Sequence, residues 1–256
     1  MDILETQASC RRKERRSLAE LVTSLLPFFV SSSTYFYLWL PDSSPSPFSA
    51  AVKSAPVLSL AGLVWYHKGG RSLCGSIGAV LAGLLLSAAG DVCLIWKELF
   101  LPGMLFFALA HVCYSLSFSS RPPSSSPRSR LSPSLLLLLS LSLWVFASLS
   151  FLYFLPHLSA RKDSSVITPA VCVYTFLITI MANLALVTSR PLTMAGALFF
   201  MTSDLTLACH TFVAPLPWGR AAVMTTYYLA QVLIAVGGVR EGSDVVADGL
   251  GNRKRK

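Results

Sequence analysis

Two aspartates at matched positions in two apolar stretches are the residues of this sequence best suited to chemistry. Asp91 ends the run Gly83–Asp91, and Asp204 ends the run Gly196–Asp204. In each run a glycine stands eight residues before the aspartate, a leucine six residues before it and a small residue directly before it. A carboxylate inside an apolar segment long enough to cross a bilayer is costly unless it is paired or hydrated, so such groups usually have a function.

The two runs belong to a longer repeat. Asp91 and Asp204 are 113 residues apart, and the same offset relates Pro102 to Pro215 and Tyr114 to Tyr227. We interpret this repeat as an internal duplication that places the aspartates on equivalent hairpins. A duplicated fold would bring the two carboxyl groups toward a pseudo-twofold axis, where they could face each other.

Two carboxyl groups that face one cavity can carry out acid–base chemistry together. Like charges at close range cannot both ionise, so the pair tends to share one proton and offers an acid and a base near neutral pH. Such a pair can protonate one atom of a substrate while it activates water against the neighbouring atom, as inverting glycosidases do. Enol ethers also suit this chemistry, because protonation at carbon creates the same kind of oxocarbenium ion. Which aspartate is the acid stays open at this point.

Other polar side chains inside the apolar runs are candidates to bind a substrate near the aspartates. Lys53 either neutralises one aspartate or binds a phosphate as a point charge. Tyr114 and Tyr227 are related by the repeat, which favours hydrogen bonds within a cavity over anchoring at the membrane surface. His111 fits a buried hydrogen bond to a carbonyl as well as a role in the site, and Asn183 is typical of contacts between membrane helices. The candidates for substrate binding are Lys53, His111, Tyr114, Tyr227, Tyr228 and Gln231.

The elements that must position these residues are membrane-spanning helices. Hydrophobic residues make up 54% of the 256, and charged residues make up 13%, about half of the fraction found in soluble domains. The charges cluster at the ends of continuous apolar runs of about 20 residues, which is the length that a spanning helix needs. Continuous rather than alternating runs argue against a transmembrane β-barrel. We therefore predict an all-α polytopic membrane protein.

Eight apolar runs predict eight spanning helices, arranged as four plus four by the repeat. They cover residues 18–40, 49–66, 73–96, 99–118, 134–155, 166–189, 191–213 and 218–239. With the N-terminus in the cytosol, sixteen lysines and arginines lie on the cytosolic side and four on the opposite side, while Lys53 lies within the membrane. The positive-inside rule then places both termini and the Ser119–Ser134 loop in the cytosol.

The predicted membrane domain, residues 18–240, lies between a basic N-terminal segment, 1–17, and a basic tail, 241–256, that we expect to be disordered. A full-length span follows the first basic run, so we do not expect a cleaved signal peptide. The net charge of +9 is concentrated in termini and short loops, which argues against nucleic-acid binding. The four histidines and six cysteines lack the spacing of a metal site or of a disulfide framework. Homo-oligomerisation stays open.

Several short motifs resemble the YhhN-like family of lysoplasmalogenases, with the vertebrate enzymes as the nearest likeness. The motifs are Val52–Pro56, Ser87–Trp96, Pro102–Met104, Ala110–Tyr114, Ser203–Asp204 and Met224–Gln231. Each is short, but their order and spacing are uncommon in combination, and the likeness extends over roughly residues 25–240.

The resemblance implies hydrolysis of the vinyl-ether bond of lysoplasmalogens. The substrates would be lysoplasmenylethanolamine or lysoplasmenylcholine, and the products a fatty aldehyde and glycerophosphoethanolamine or glycerophosphocholine. It also implies a lysophospholipid partner in a lipid bilayer, no metal or organic cofactor, and the endoplasmic-reticulum membrane as the location. In this interpretation Asp91 and Asp204 are the catalytic pair.

Two other classes of protein also use paired membrane aspartates. An intramembrane aspartyl protease usually has a G-x-G-D element and a Pro-Ala-Leu motif. Here Ala88–Asp91 lacks the first glycine, and Pro169–Val171 is a poor match to the second motif. A proton-coupled transporter of lipids or small molecules is the other alternative, and the parallel rather than inverted repeat counts against it.

Overall fold

A computed structural model describes residues 19–38, 45–68, 75–120 and 131–253, with the side chains of the last range given as far as Arg240. In these residues the regular structure is helical, and eight helices are long and apolar enough to cross a membrane. The prediction of an all-α polytopic membrane protein with eight spans is confirmed. The basic segment 1–17 and most of the loop Ser119–Ser134 lie outside the described residues.

The eight helices fall into two sets of four along the chain. The first set is α1 (Leu26–Leu38), α2 (Pro47–Lys68), α3 (Ser76–Cys93) and α4 (Phe100–Ser119). The second set is α5 (Pro133–Ser159), α6 (Ser164–Thr188), α7 (Pro191–Ala208) and α8 (Gly219–Arg253). A helical stretch from Ala19 completes the first span, and the π-helical segment Cys209–Val213 prolongs α7.

The last helix is longer than the sequence predicted. Backbone hydrogen bonding continues past Arg240 to Arg253, so most of the tail that we expected to be disordered is helical. No proline occurs between Gly219 and Arg253 to remove an amide donor and break the helix. The tail is therefore helical as far as Arg253, although its polar and glycine-containing composition suggested disorder.

Local sequence explains where the helices turn. Ser132 caps α5, since its hydroxyl accepts a hydrogen bond from the amide of Leu135 at 3.3 Å, and Pro133 follows at the first helical position. Ser189 follows α6 in the left-handed conformation with φ of 52°, and only two residues separate the end of α6 from Pro191, which opens α7. Such short connections force neighbouring helices into antiparallel hairpins.

Helix packing has the pattern that a four-plus-four duplication predicts. In each half every helix packs against the next one along the chain. Between the halves, α8 packs against α2 and α4 packs against α6. These two contacts are equivalent, because exchanging each helix for the one four places away in the chain turns the first pair into the second. Helix α3 also packs against α8. The two aspartate-bearing helices, α3 and α7, therefore occupy equivalent places.

The two repeated glycines are points of close helix approach. A Cβ atom at Gly83 would clash with the ring of Tyr114 on α4. One at Gly196 would lie 2.8 Å from Ile234 and 3.2 Å from the carbonyl oxygen of Ala230, both on α8. A side chain at either position would push the hairpin apart, so these glycines set the spacing of α3 to α4 and of α7 to α8.

Candidate functional site

Asp91 is buried where three helices meet. It lies two residues before the end of α3, and only 1% of its surface is exposed. Its Oδ1 is 3.5 Å from the ammonium of Lys53 on α2, and its Oδ2 accepts a hydrogen bond of 2.6 Å from the hydroxyl of Tyr227 on α8. Lys53 thus lies where it neutralises Asp91, which is one of the two roles considered for it.

Tyr228 belongs to the same region but contacts backbone rather than a carboxylate. Its hydroxyl donates to the carbonyl oxygen of Lys53 at 2.8 Å, and this bond is buried. Around its ring lie three aromatic side chains of α1, at centroid distances of 5.5 Å for Tyr35, 6.1 Å for Phe36 and 6.4 Å for Phe28. Tyr228 therefore joins α8 to α2 and to α1.

Asp204 lies in a second cluster, four residues before the end of α7. Its Oδ2 accepts a hydrogen bond of 2.6 Å from the hydroxyl of Tyr174 on α6 and is 3.3 Å from Nε2 of His111 on α4. The Tyr174 oxygen and His111 Nε2 are 3.0 Å apart, so the three groups form a closed triangle.

The ring of His111 is oriented by this triangle. His111 is fully buried, and its Nδ1 has no hydrogen-bond partner among the described residues. We assign the neutral tautomer with the proton on Nε2, because that nitrogen then donates toward Asp204, and Nδ1 is not left as a buried unpaired donor. The arrangement gives the Asp204 carboxylate two donors from two different helices.

The two aspartates are held in equivalent ways by the two halves of the fold. Asp91 on α3 is contacted from α2 of its own half and from α8 of the other half. Asp204 on α7 is contacted from α6 of its own half and from α4 of the other half. The chemistry has diverged, since an ammonium and a phenol bind the first carboxylate, whereas a phenol and an imidazole bind the second.

Aromatic rings lie between the two clusters. The ring of Phe200 is 4.7 Å from that of His111 and 5.6 Å from that of Tyr227, measured between centroids. Phe107 contacts Phe200 and Tyr227 as well, at 6.4 Å and 5.7 Å. Among the described residues no hydrogen bond joins the two carboxyl groups or gives them a shared partner. A face-to-face dyad stays a prediction.

Tyr114 and Gln231 form a third polar contact, between α4 and α8. The Tyr114 hydroxyl donates to Oε1 of Gln231 at 2.7 Å and is 3.5 Å from the hydroxyl of Ser87. Tyr114 and Tyr227 are repeat mates, yet only Tyr227 reaches an aspartate. Asn183 binds the Ser140 hydroxyl and so links α6 to α5, the role expected of it.

A cavity opens beside Asp204. Its empty volume is about 820 Å³ including the open mouth, and it lies among α4, α5, α6 and α7 with the π-helical segment at one end. Most of its wall is apolar, and Asp204 and Tyr174 bring a carboxyl and a phenol to it. Its apolar lining includes Phe107, Phe146, Phe154, Ile178 and Met201. Neither Asp91 nor Lys53 belongs to the lining.

Tyr174 is the site residue that the sequence did not reveal. The position 113 residues before it is Ala61, so the repeat that drew attention to Tyr114 and Tyr227 passes over it. Its only signal is a hydroxyl-bearing ring in the middle of an apolar run. The described residues contain no group of three or more His, Cys, Asp and Glu side chains that could hold a metal ion.

Comparisons with known proteins agree with the motifs. The chain is 40% identical over 228 residues to the lysoplasmalogenase TMEM86B of Sus scrofa, covering 88% of this chain and 91% of the relative. It is 39% identical over 217 residues to TMEM86B of Homo sapiens, covering 84% and 86%. It is 37% identical over 234 residues to the lysoplasmalogenase TMEM86A of Bos taurus, covering 86% and 90%. No solved structure matches the chain. Residues 48–238 match the YhhN family, and the chain belongs to that family.

Proposed function

We propose that this protein is a lysoplasmalogenase, which hydrolyses the vinyl-ether bond of a lysoplasmalogen to a fatty aldehyde and a glycerophospho-alcohol. The observation that carries the proposal is the position of Asp204, an acid in the wall of an otherwise largely apolar cavity within the membrane region. The names of the relatives support the same reaction.

The cavity suits a lipid with one long chain. Its aromatic and aliphatic walls would take up the alkenyl chain, and each buried methylene contributes about 0.8 kcal/mol. The chain would pass Phe107 and Ile178, and the vinyl ether would stand beside Asp204 and Tyr174. Membrane lipid is the environment from which such a substrate arrives.

In the proposed first step Asp204 is the acid. Its protonated carboxyl transfers a proton to C2 of the vinyl ether, the carbon distal to oxygen. The O–H bond breaks, a C–H bond forms, and the positive charge is shared by C1 and the ether oxygen as an oxocarbenium ion. Hydrogen bonds from Tyr174 and His111 stabilise the carboxylate that remains, since such bonds are strongest toward an ionised acceptor.

In the second step the Asp204 carboxylate becomes the base. It takes a proton from a water molecule as the water oxygen bonds to C1, which gives a hemiacetal and regenerates the acid. Collapse of the hemiacetal breaks the bond from C1 to the ether oxygen, forms the aldehyde and returns a proton to the alcohol. One water is consumed in each cycle.

Asp91 has a different role in this scheme from the one predicted for a dyad. As the base it would have to act past the rings of Phe200 and Phe107, and its oxygens are already bound by Lys53 and Tyr227. We therefore propose that Asp91 and Lys53, with the hydroxyls of Tyr227 and Tyr228, hold α2, α3 and α8 together. Tyr114 and Gln231 stabilise α4 against α8 in the same way.

We further propose that the protein resides in the endoplasmic-reticulum membrane with both termini in the cytosol. The excess of sixteen over four basic residues on one side supports the orientation. In that orientation the Arg161–Asp163 loop and the end of the cavity next to it face the lumen.

The decisive experiment uses purified protein in detergent with two substrates. Lysoplasmenylethanolamine should release fatty aldehyde, and its saturated alkyl-ether analogue should not. Because detergent solution holds no gradient, turnover there also separates an enzyme from a transporter. Aldehyde from neither lipid, with protein that remains folded, would contradict the proposal.

A further inference from the structure

A charged pair lies at one end of the cavity, in the short loop between α5 and α6. The guanidinium of Arg161 lies 5.9 Å from the centre of the Phe212 ring, and Phe212 lines the cavity. Nε and Nη2 of Arg161 donate to the two carboxylate oxygens of Asp163 at 3.0 Å and 3.4 Å. The two side chains are 41% and 47% exposed, so both are accessible to a ligand that extends past Phe212.

We propose that this Arg161–Asp163 pair binds the zwitterionic head group of the lysophospholipid, with the phosphate at Arg161 and the ammonium of ethanolamine or choline at Asp163. The inference rests on the proposed function and extends it from the reacting bond to the head group.

The separation of Asp204 and Phe212 along the helix is comparable to the length of such a substrate. Phe212 comes eight residues after Asp204, four of them in α7 and four in its π-helical continuation, which is roughly 10 Å along the helix. The six bonds from the vinyl carbon to phosphorus span about 7 Å, at roughly 1.2 Å per bond of an extended chain. A hydrogen bond from the guanidinium to a phosphate oxygen adds about 3 Å, and the P–O bond brings the total near 12 Å. A substrate with C1 at Asp204 would therefore carry its phosphate to the level of Phe212, the ring over which the Arg161 guanidinium lies.

The chemistry of both groups suits a zwitterion. A guanidinium has five N–H donors, and its bonds to Asp163 leave N–H groups on the Nη atoms for a phosphate. The hydrogen bond from Arg161 lowers the pKa of the Asp163 carboxyl, so the carboxylate is ionised at neutral pH and keeps lone pairs for an ammonium. Stacking over Phe212 holds the guanidinium at the mouth.

Lys53 was the other candidate cation for the phosphate, but it lies away from the cavity. Lys53, the residue considered for that role from the sequence, is paired with Asp91 and does not line the cavity. An exposed ion pair can also have no measurable effect on stability. The test must therefore measure recognition of the head group itself.

Three substrates with the same alkenyl chain separate the contributions: 1-alkenylglycerol, 1-alkenylglycerol 3-phosphate and lysoplasmenylethanolamine. The readout is the ratio of kcat/KM between two substrates for one variant, which cancels differences in the amount of folded enzyme. Arg161→Gln should lower the ratio of the phosphate lipid to alkenylglycerol by roughly tenfold to a hundredfold, the usual effect of a lost charge-assisted hydrogen bond. Asp163→Asn should lower the ratio of the ethanolamine lipid to the phosphate lipid. Lys162→Gln removes a neighbouring charge and serves as the matched control.

The outcomes distinguish the inference from the proposed function. A wild-type ratio in Arg161→Gln, or an equal loss in Lys162→Gln, would overturn the phosphate contact. A wild-type ratio of ethanolamine to phosphate lipid in Asp163→Asn would overturn the ammonium contact. Failure of the wild-type protein to release aldehyde from any of the three lipids would instead contradict the proposed function.

Discussion

Replacement of Asp91 by asparagine should destabilise the protein rather than remove a reacting group. Asp91→Asn deletes the carboxylate that lies 3.5 Å from Lys53, whose side chain is only 11% exposed. Removal of one partner from a buried ion pair costs about 3–5 kcal/mol, because the other charge stays buried and uncompensated. For a domain of this size each kcal/mol lowers the unfolding temperature by about 2–4 °C, so we expect a fall of roughly 6–20 °C.

A second change should reverse this loss. Lys53→Met in the Asp91→Asn background removes the uncompensated ammonium and keeps a side chain of similar length. Replacement of a whole buried ion pair by neutral residues is often neutral or stabilising. The double variant keeps the hydrogen bond from Tyr228 to the backbone carbonyl of residue 53. It also keeps an acceptor for Tyr227, because the side-chain amide of the new asparagine has an oxygen. The double variant should therefore recover most of the unfolding temperature and of the turnover.

The assay combines thermal unfolding in detergent with aldehyde release per folded molecule, measured well below the lower unfolding temperature. Asp204→Asn is the matched control, because it makes the same substitution at the equivalent position of the other half. Its neighbours Tyr174 and His111 leave no buried ammonium behind. We expect near wild-type stability and turnover lower by at least about a hundredfold, the scale for loss of a proton-transfer group.

One result would refute this reasoning. If the double variant unfolded at the wild-type temperature but turned over as slowly as Asp204→Asn, the need for Asp91 would be chemical. The two-carboxylate dyad predicted from the sequence would then be the better mechanism, and Phe200 and Phe107 would have to move during the reaction.

Four further predictions test other parts of the scheme. In D₂O, turnover should slow by a factor of a few if protonation at carbon limits the rate, and the aldehyde should carry deuterium at C2. Aldehyde without this label, after a control for hydrogen exchange in the free product, would exclude the mechanism. Tyr174→Phe should lower kcat by about tenfold to a hundredfold, since a hydrogen bond to a charged group contributes about 1.5–3 kcal/mol, and an unchanged kcat would remove Tyr174 from the site. Gly83→Ala should lower the unfolding temperature, because its methyl group meets Tyr114, whereas Gly62→Ala, whose methyl group meets open space, should not; equal effects would contradict the close approach. A glycosylation acceptor in an extended Arg161–Asp163 loop should be modified and one at the C-terminus should not, and the reverse pattern would invert the orientation.

Much of the fold could be predicted because each membrane span is identified by the hydropathy of its own residues. A continuous apolar run with charges at its ends needs no knowledge of the rest of the chain. The predicted span starts at residues 134 and 191 agree with the observed helix starts at Pro133 and Pro191, since proline is favoured at the first helical position. The helical continuation after Arg240 was harder to predict. The polar, glycine-containing composition of the tail suggested disorder, whereas the backbone hydrogen bonding of α8 continues to Arg253.

The site was less predictable because its contacts join distant parts of the chain. The repeat identified both aspartates and Tyr227, yet the contacts of Asp204 come from α4 and α6 through helix packing. Tyr174 has no repeat mate, and nothing local separates it from other tyrosines in membrane spans. The repeat also suggested that equivalent residues act alike, and Tyr114 and Tyr227 show that this does not follow.

The four-plus-four arrangement of the helices gives a reason why the described cavity lies beside Asp204 rather than beside Asp91. The cavity lies among α4, α5, α6 and α7. When each helix is exchanged for the one four places away in the chain, the equivalent space lies among α8, α1, α2 and α3. In that equivalent space the rings of Phe28, Tyr35 and Phe36 on α1 surround Tyr228, and Lys53 binds Asp91. The helix α5 instead lines the cavity through Phe146 and Phe154, while Asp204 remains in its wall. We infer that these aromatic side chains occupy one copy of the space and that Lys53 neutralises its acid, so that the copy beside Asp204 is the one that reacts.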